Sequence, residues 1–356
     1  MRPLDELILK KQVLLNSDKP VRARNAAEQL GISEAQYVAL SLGDGAVELD
    51  MQCVKDLFDQ LASCGELMAL TRNNEVVIER KGIYQTPKAV NEALILVNKD
   101  INLRLRINAW RYGFAVNENG RQSLQFFGAD GVAAHKIYAT DLTHKSIFQG
   151  LINRFKLPET QAKLLEISPA QKIESNHPKP LNADAFKQAW RNLNDAHEVN
   201  NLLADFGLSR LEAYALLDHQ DAQRLQADAL NTLFTLIAEQ QLPIMLFVPN
   251  KVATQIFTGH IHKLLETGPW FNVLDPGFDL HMSLSGINQA WRVTKHLKPT
   301  DSQEPVQATH SVEFFNAQGE LVMFVYLEPD ANKKPELYTR WHTGLESLSR
   351  LNKTEE

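Results

Sequence analysis

Apolar residues recur at helical spacing from residue 4 to about residue 72, and the pattern then changes to the alternation of strands. Arg24 to Leu42 reads as a helix broken at Gly31 and resumed after Ser33, where Ser33 and Gln36 make a capping-box pattern. Residues 51–70 read as a second amphipathic helix. Glu75–Glu79 and Asn102–Ala115 read as strands, Ser123–Ala139 as a hairpin turning at Ala129-Asp130-Gly131, and 141–167 as helix. The order then repeats. Residues 183–240 are helical in pattern, followed by strands at Leu242–Val248, Val252–Thr258, Trp270–Leu274, Phe278–Ser283, Asn288–Lys295, His310–Phe315 and Leu321–Leu327, and a closing helix over Leu337–Leu351. Helices, then a mostly antiparallel sheet, then a helix is the α+β class.

The residues repeat along with the pattern. Gln29-Leu30-Gly31-Ile32-Ser33 is answered by Asp205-Phe206-Gly207-Leu208-Ser209, Ile101-Asn102-Leu103-Arg104 by Phe278-Asp279-Leu280-His281, Ala109-Trp110-Arg111 by Ala290-Trp291-Arg292, and Ser123-Leu124-Gln125-Phe126-Phe127 by Ser311-Val312-Glu313-Phe314-Phe315. A period near 180 residues is too long for a solenoid unit, which runs about 20–50 residues. The chain is therefore expected to be a tandem duplication, with repeats over 1–167 and 183–356. The stretch 168–182, which holds Pro169, Pro178 and Pro180, is the expected linker. Two copies of one fold create a junction, and ligands favour such junctions.

Composition narrows the chemistry. Hydrophobic residues make up 44% and charged residues 22%, ordinary for a globular protein, and the net charge of −6 opposes nonspecific binding to nucleic acid or anionic membrane. Cys53 and Cys64 are the two cysteines, and with no CxxC they suggest reduced core residues rather than zinc or redox chemistry. The N-terminus carries acids early, and no run of about 18 apolar residues occurs, so no secretory signal or membrane span is expected and the expected location is the cytoplasm.

Several features have both a plain and a functional reading. Residues 22–40 have the outline of a helix-turn-helix, yet Glu34 and Gln36 stand where a recognition helix needs basic residues, so an ordinary helical hairpin is favoured. His260 and His262 would share a face on a strand, but no acid or cysteine nearby completes a metal set. His197 belongs to one repeat only, since Val21 is its counterpart; a solvated or capping role is the plain reading, and ligation of haem iron is the functional one. Arg104 and His281 are pseudo-equivalent. Arg111, Arg210, Arg292 and Lys295 are unremarkable singly, but as a set beside a cleft they could neutralise two carboxylates.

The strings Gln255-Ile256-Phe257-Thr258-Gly259, Gly268-Pro269-Trp270-Phe271-Asn272-Val273-Leu274-Asp275-Pro276 and Phe278-Asp279-Leu280-His281, with Arg22 to Ala27 and Asp100 to Arg104 in the first repeat, closely resemble the haemin-degrading and haem-trafficking proteins of Gram-negative bacteria, the HemS/ChuS-like family. The likeness covers nearly the whole chain. It implies two large antiparallel sheets packed centrally with helices outside, and haem bound between the halves. It implies His197 as the axial iron ligand, Arg104 on the opposite side as the catalytic cation, and Arg210, Lys295 and Tyr326 as further haem contacts. The implied function is oxidative haem breakdown with an external electron donor; the alternative is a haem chaperone that delivers its cargo to a separate oxygenase. A haem importer or that oxygenase would be the partner of a monomer or dimer. One stretch departs: over 324–336 the arginine and glycines of the family's loop are missing.

Overall fold

In the computed structural model the structure describes residues 3–16, 21–158, 161–168, 182–195, 198–297 and 307–351. Most of the expected linker, and His197 with it, lie outside the described residues. The first repeat forms helices α1 (Pro3–Leu15), α2 (Ala23–Leu30), α3 (Glu34–Ala39), α4 (Val54–Gln60) and α5 (Lys145–Phe155). Its strands are β1 (Ala46–Glu48), β2 (Gly65–Arg72), β3 (Val76–Ile83), β4 (Lys88–Val90), β5 (Ala93–Val97), β6 (Asn102–Leu105), β7 (Trp110–Glu118), β8 (Arg121–Gly128) and β9 (Ala133–Thr143). The second repeat forms helices α6 (Ala183–Arg191), α7 (Val199–Phe206), α8 (Arg210–Leu216), α9 (Ala229–Glu239), α10 (Pro329–Asn332) and α11 (Pro335–Glu346). Its strands are β10 (Ala222–Leu225), β11 (Ile244–Pro249), β12 (Ala253–Gly259), β13 (Leu264–Thr267), β14 (Trp270–Asp275), β15 (Phe278–Ser283), β16 (Gln289–Leu297), β17 (Gln307–Phe315) and β18 (Leu321–Leu327).

Two nine-stranded sheets result, in the orders β1-β7-β8-β9-β2-β3-β15-β14-β13 and β10-β16-β17-β18-β11-β12-β6-β5-β4. This is the expected α+β duplication with two large antiparallel sheets. What the pattern did not foretell is an exchange: each sheet is completed by three strands of the other repeat. The run Asn102–Ala115, read as one strand, is two strands in different sheets, joined by a 3-10 turn over Ile107–Ala109. The exchange is driven by burial. Leu103 and Leu105 are fully buried with Phe58 and Phe126 in the first repeat's core, while Arg104 between them points to the opposite face. In the same way Leu280 and Met282 of β15 enter the core that holds Phe234, Leu246 and Trp341.

The inner faces of the two sheets thus share cores with α4 and α5 on one side and α9 and α11 on the other. Two asparagines fasten the halves at the β2–β3 and β11–β12 turns. Asn73 Nδ2 donates to Pro249 O (2.9 Å) and Val322 O (2.7 Å), and Asn250 Nδ2 returns the contact to Arg72 O (3.1 Å) and Ala134 O (2.9 Å). Each Oδ1 accepts two backbone N–H groups of its own turn, so both side chains are fully used.

The helical hairpins on the outer faces follow the sequence closely. Gly31 and Gly207 both adopt φ +67° and end α2 and α7, after which Ser33 with Gln36, and Ser209 with Glu212, complete capping boxes that start α3 and α8. The expected helix over 51–70 stops at Gln60 and a 3-10 turn; Gly65 (φ +77°), where a Cβ would press on Leu142 O, then opens β2. The 141–167 helix is confined to Lys145–Phe155. Strands β4, β5, β10 and β13, each of five residues or fewer, had no recognisable alternation to reveal them.

Candidate functional site

The outer face of the second sheet can be built from its register. Arg104 on β6 is level with Thr254 on β12, and Asn102 with Ile256. Ile256 is level with Phe247 on β11, Phe247 with Phe324 on β18, and Phe324 with Glu313 on β17. Directly opposed residues share a face, so one surface carries Arg104, Asn102, Ile256, Phe247, Phe324, Tyr326 and Glu313. Arg104 and Tyr326 are separated by three inter-strand steps, about 14 Å across the strands, and by four residues along them, about 13 Å. The middle of this surface is an aromatic platform. Phe247 and Phe324 stack with ring centres 4.4 Å apart and planes at 10°, and Tyr326 meets both edge-on. All three are only partly buried.

At one end the platform meets α8. Ser209 caps the helix, which fixes Arg210 as its first residue and aims its guanidinium at the sheet. Arg210 donates to Glu313 Oε2 (3.1 Å), Tyr214 Oη (3.1 Å) and Asn200 Oδ1 (2.8 Å). Lys295 donates to Glu313 Oε1 (3.0 Å), Tyr326 Oη (2.8 Å) and Ser311 Oγ (3.3 Å), and Tyr214 Oη donates to Glu313 Oε2 (2.6 Å). Burial would raise the Glu313 carboxyl, but Lys295 and Arg210 outweigh it and bring it down to about 2. Burial would lower Lys295; Tyr326 and Glu313 outweigh it, and its pKa is raised. The network thus holds two cations and one anion, a net positive charge. Arg210 keeps 20% of its side chain exposed, whereas Lys295 keeps 1%, so Arg210 is the cation a ligand can reach.

At the other end Arg104 lies half-buried on the exchanged strand β6. Its Nη1 donates to Asn102 Oδ1 (2.7 Å), Leu103 O (3.0 Å) and Leu96 O (3.4 Å). Its pKa is lowered, and burial is the one cause.

The structure therefore brings four sequence-predicted residues, Arg104, Arg210, Lys295 and Tyr326, to one face. His197 is outside the described residues; α7 begins two residues after it, and Asn200 of that helix contacts Arg210. Arg292 points to the opposite face and pairs with Glu346, and Arg111 is exposed. His260 and His262 sit in the loop after β12 rather than on a strand, and no group of three or more metal-ligating side chains occurs among the described residues. The hairpin at 22–40 is no DNA reader of the usual kind, because Glu34 at the start of α3 is buried against the sheet in pairs with Arg72 and Lys136. Over 324–336 the chain passes from β18 directly into α10, capped by Glu328, which accepts from Ala331 N (3.1 Å).

Sequence reasoning missed Glu313, Tyr214, Phe247, Phe324 and Asn102. Glu313 had one signal: it replaces Gln125 in the repeated string that ends in two phenylalanines. A separate cleft of about 750 Å³ opens beside the asparagine clasp, among Arg72, Asp130, Lys251 and Glu320. None of the candidate residues lines it. The aromatic face is the better candidate despite being open, since its groups converge on one surface with matched chemistry.

Among the described residues no helix is long and apolar enough to cross a membrane. The model of the haemin-degrading HemS/ChuX domain matches residues 31–155 and again 207–348, which agrees with the duplication. A hemin transport protein, HmuS of Yersinia pestis, is 32% identical over 309 residues, covering 85% of this chain and 86% of the relative. The solved structure of holo-PhuS, a heme-binding protein from Pseudomonas aeruginosa, is 33% identical with a TM-score of 0.87, covering 98% of this chain and all of that one. That of ChuS, described as an E. coli heme oxygenase, is 27% identical with a TM-score of 0.81, covering 96% of this chain and 99% of that one. With both repeats matched and full-length relatives at both levels of comparison, the chain belongs to the haemin-degrading HemS/ChuX family.

Proposed function

We propose that this protein binds haem on the outer face of its second sheet and breaks it down to release iron. The observation that carries the reading is the stacked Phe247–Phe324 platform with Tyr326 at its edge and a reachable cation at each end, Arg104 and Arg210. A flat apolar ring with acidic substituents matches that set: aromatic faces take the ring, and an arginine takes a carboxylate by charge-assisted hydrogen bonds.

Each residue has a role in this proposal. His197 ligates the iron through a neutral imidazole, leaving the other side of the ring open. Arg104 faces that open side and stabilises negative charge there through its free N–H groups. Arg210 pairs with a propionate. Lys295 supports the site from behind, holding Tyr326 and Glu313 in place. The redox chemistry belongs to the haem and to electrons from an external reductant; the protein holds and orients the ring. The second reading, a carrier that passes haem intact to a separate oxygenase, is favoured by the chain's departure over 324–336.

A haemin titration followed at the Soret band tests the site. Wild type is expected to show a saturable one-to-one shift that His197→Ala abolishes or changes in character. An unchanged His197→Ala spectrum would move the ligand elsewhere, and no saturable shift in wild type would refute the haem reading. Adding reductant with catalase present then separates the roles. Loss of the haem spectrum with iron release supports the enzyme, and a stable spectrum with intact transfer supports the carrier.

A further inference from the structure

Arg104 is a half-buried cation at one end of the face, with Asn102, Ile256 and the aromatic platform between it and the Glu313–Lys295–Arg210 network at the other end. Among the described residues no carboxylate lies within ion-pairing distance of it, and all three of its hydrogen bonds run from Nη1 to neutral oxygens. Its Nη2 and Nε make no bond to any described residue. The side chain that fixes this arrangement is Asn102, two residues earlier on the same strand face and 8% exposed, whose amide oxygen is the nearest acceptor at 2.7 Å.

The other repeat shows the alternative. Asp279 and His281 of β15 stand level with Glu79 and Val77 of β3, as Asn102 and Arg104 of β6 stand level with Ile256 and Thr254 of β12. Asp279 is therefore the counterpart of Asn102, and a carboxylate is compatible with that backbone position. An aspartate at 102 would sit within hydrogen-bonding distance of the guanidinium and neutralise it. An asparagine gives the same geometry without the charge.

We infer that Asn102 is a positioning and specificity-determining residue: it pins Nη1 of Arg104 while leaving its charge uncompensated, so that the remaining N–H groups form a binding site for a small anion on the open face. This rests on the haem reading for its biological use, where the anion would be a ligand on the open side of the ring. The anion site itself does not depend on haem. A half-buried cation without a counterion favours an anion that completes it, because part of its hydration has already been removed without a compensating charge.

The test has two arms. In the haem-free full-length protein, the Arg104 guanidinium NMR signal is followed while azide is added. A saturable shift is expected in wild type and a shift reduced about tenfold or more in apparent affinity in Asn102→Asp. Val97→Glu is the second variant, since Val97 is exposed, stands level with Asn102 on β5 and adds a carboxylate to the same face without touching the core. In the ferric haem complex, fluoride and imidazole affinities are compared by Soret titration. Asn102→Asp is expected to weaken fluoride about tenfold and to leave neutral imidazole within about twofold. Equal losses for both ligands, or none, would overturn the inference, because a merely structural role moves both alike. No Arg104 shift with azide in wild type overturns it whether or not haem binds. A wild-type azide shift in a protein that gives no saturable haemin complex keeps the anion site and refutes the haem reading instead.

Discussion

The two outer faces are copies of one surface, and they have exchanged their charges. In the first, the acid is on the helix: Glu34 at the start of α3 binds Lys136 of β9 (2.6 Å) and Arg72 of β2. In the second, the cation is on the helix: Arg210 occupies Glu34's place after the capping serine, and the acid is Glu313 on the sheet. Register gives the remaining counterparts. Gln125 and Lys136 of the first face match Glu313 and Phe324 of the second, Leu70 matches Phe247, Glu79 matches Ile256, and Tyr138 matches Tyr326. Both carboxylates are held down to about 2, each because two cations outweigh the burial that would raise it. The two faces thus share the ion-pair logic and the turn chemistry, but where the second carries Phe247, Phe324 and Ile256 the first carries Leu70, Lys136 and Glu79. Glu79 faces Asp279 directly, and its carboxyl is raised by burial and by that neighbour. A flat apolar ligand suits one face and not the other.

Breaking the ion pairs should have the largest effect. Glu313→Gln leaves Lys295 charged and almost wholly buried, and should cost about 3–5 kcal/mol of stability at neutral pH. Glu34→Gln should cost less, since Arg72 keeps 11% of its side chain in solvent. Urea denaturation measures both, and a loss under about 1 kcal/mol for Glu313→Gln would contradict the account. Moving the first face's residues to the second comes next. Phe247→Leu with Phe324→Lys should weaken haemin binding about a hundredfold in a Soret titration, from lost ring contact and an unpaired ammonium. Binding unaffected by that pair would shift the site away from the platform.

Acid should erase the ion-pair contribution. Because both folded-state pKa values lie below the ordinary carboxylate value, their stabilisation is complete above about pH 4.5 and disappears as pH falls toward 2. The stability gap between wild type and Glu313→Gln should therefore close over that window. A gap that persists at pH 2 would mean that the carboxylate's charge is not the cause. Two buried histidines add a separate slope. His135, bonded to Thr71 and Tyr84, and His310, bonded to Thr294 and Tyr338, are both lowered to about 3, chiefly by burial. Each makes stability fall as pH drops from about 6.5 toward 3, since the unfolded chain takes up the proton first. Smallest of all, Asn73→Ala and Asn250→Ala should each cost about 1–3 kcal/mol in the same denaturation assay, by nearly equal amounts, because their bonds are reciprocal. A marked inequality would show that the clasp is not symmetric in energy.

The helical hairpins were legible because their causes are local. Gly31 and Gly207 supply the left-handed turn, and Ser33 and Ser209 supply the caps, whatever the rest of the chain does. The duplication, the α+β class and most of the longer strands were legible for the same reason, being written in spacing and repeated residues. Arg104, Arg210, Lys295 and Tyr326 were named from the sequence through a family likeness, and the fold brings them to one face.

What the tertiary structure decided is which sheet each strand joins and what each charge meets. Asn102–Ala115 reads as one strand because alternation carries no record of a partner; only the burial of Leu103 and Leu105 in the first repeat's core, with Arg104 turned the other way, splits it between two sheets. Lys295 looks in the sequence like a cation offered to a ligand, yet it is engaged by Tyr326 and by Glu313, the latter eighteen positions away, level with Trp291 rather than Lys295, and reached only through the β16–β17 pairing and the length of the lysine chain. Local backbone chemistry sets turns and caps, whereas pairing between distant strands sets the company a side chain keeps, and that company fixes its charge, its burial and its use.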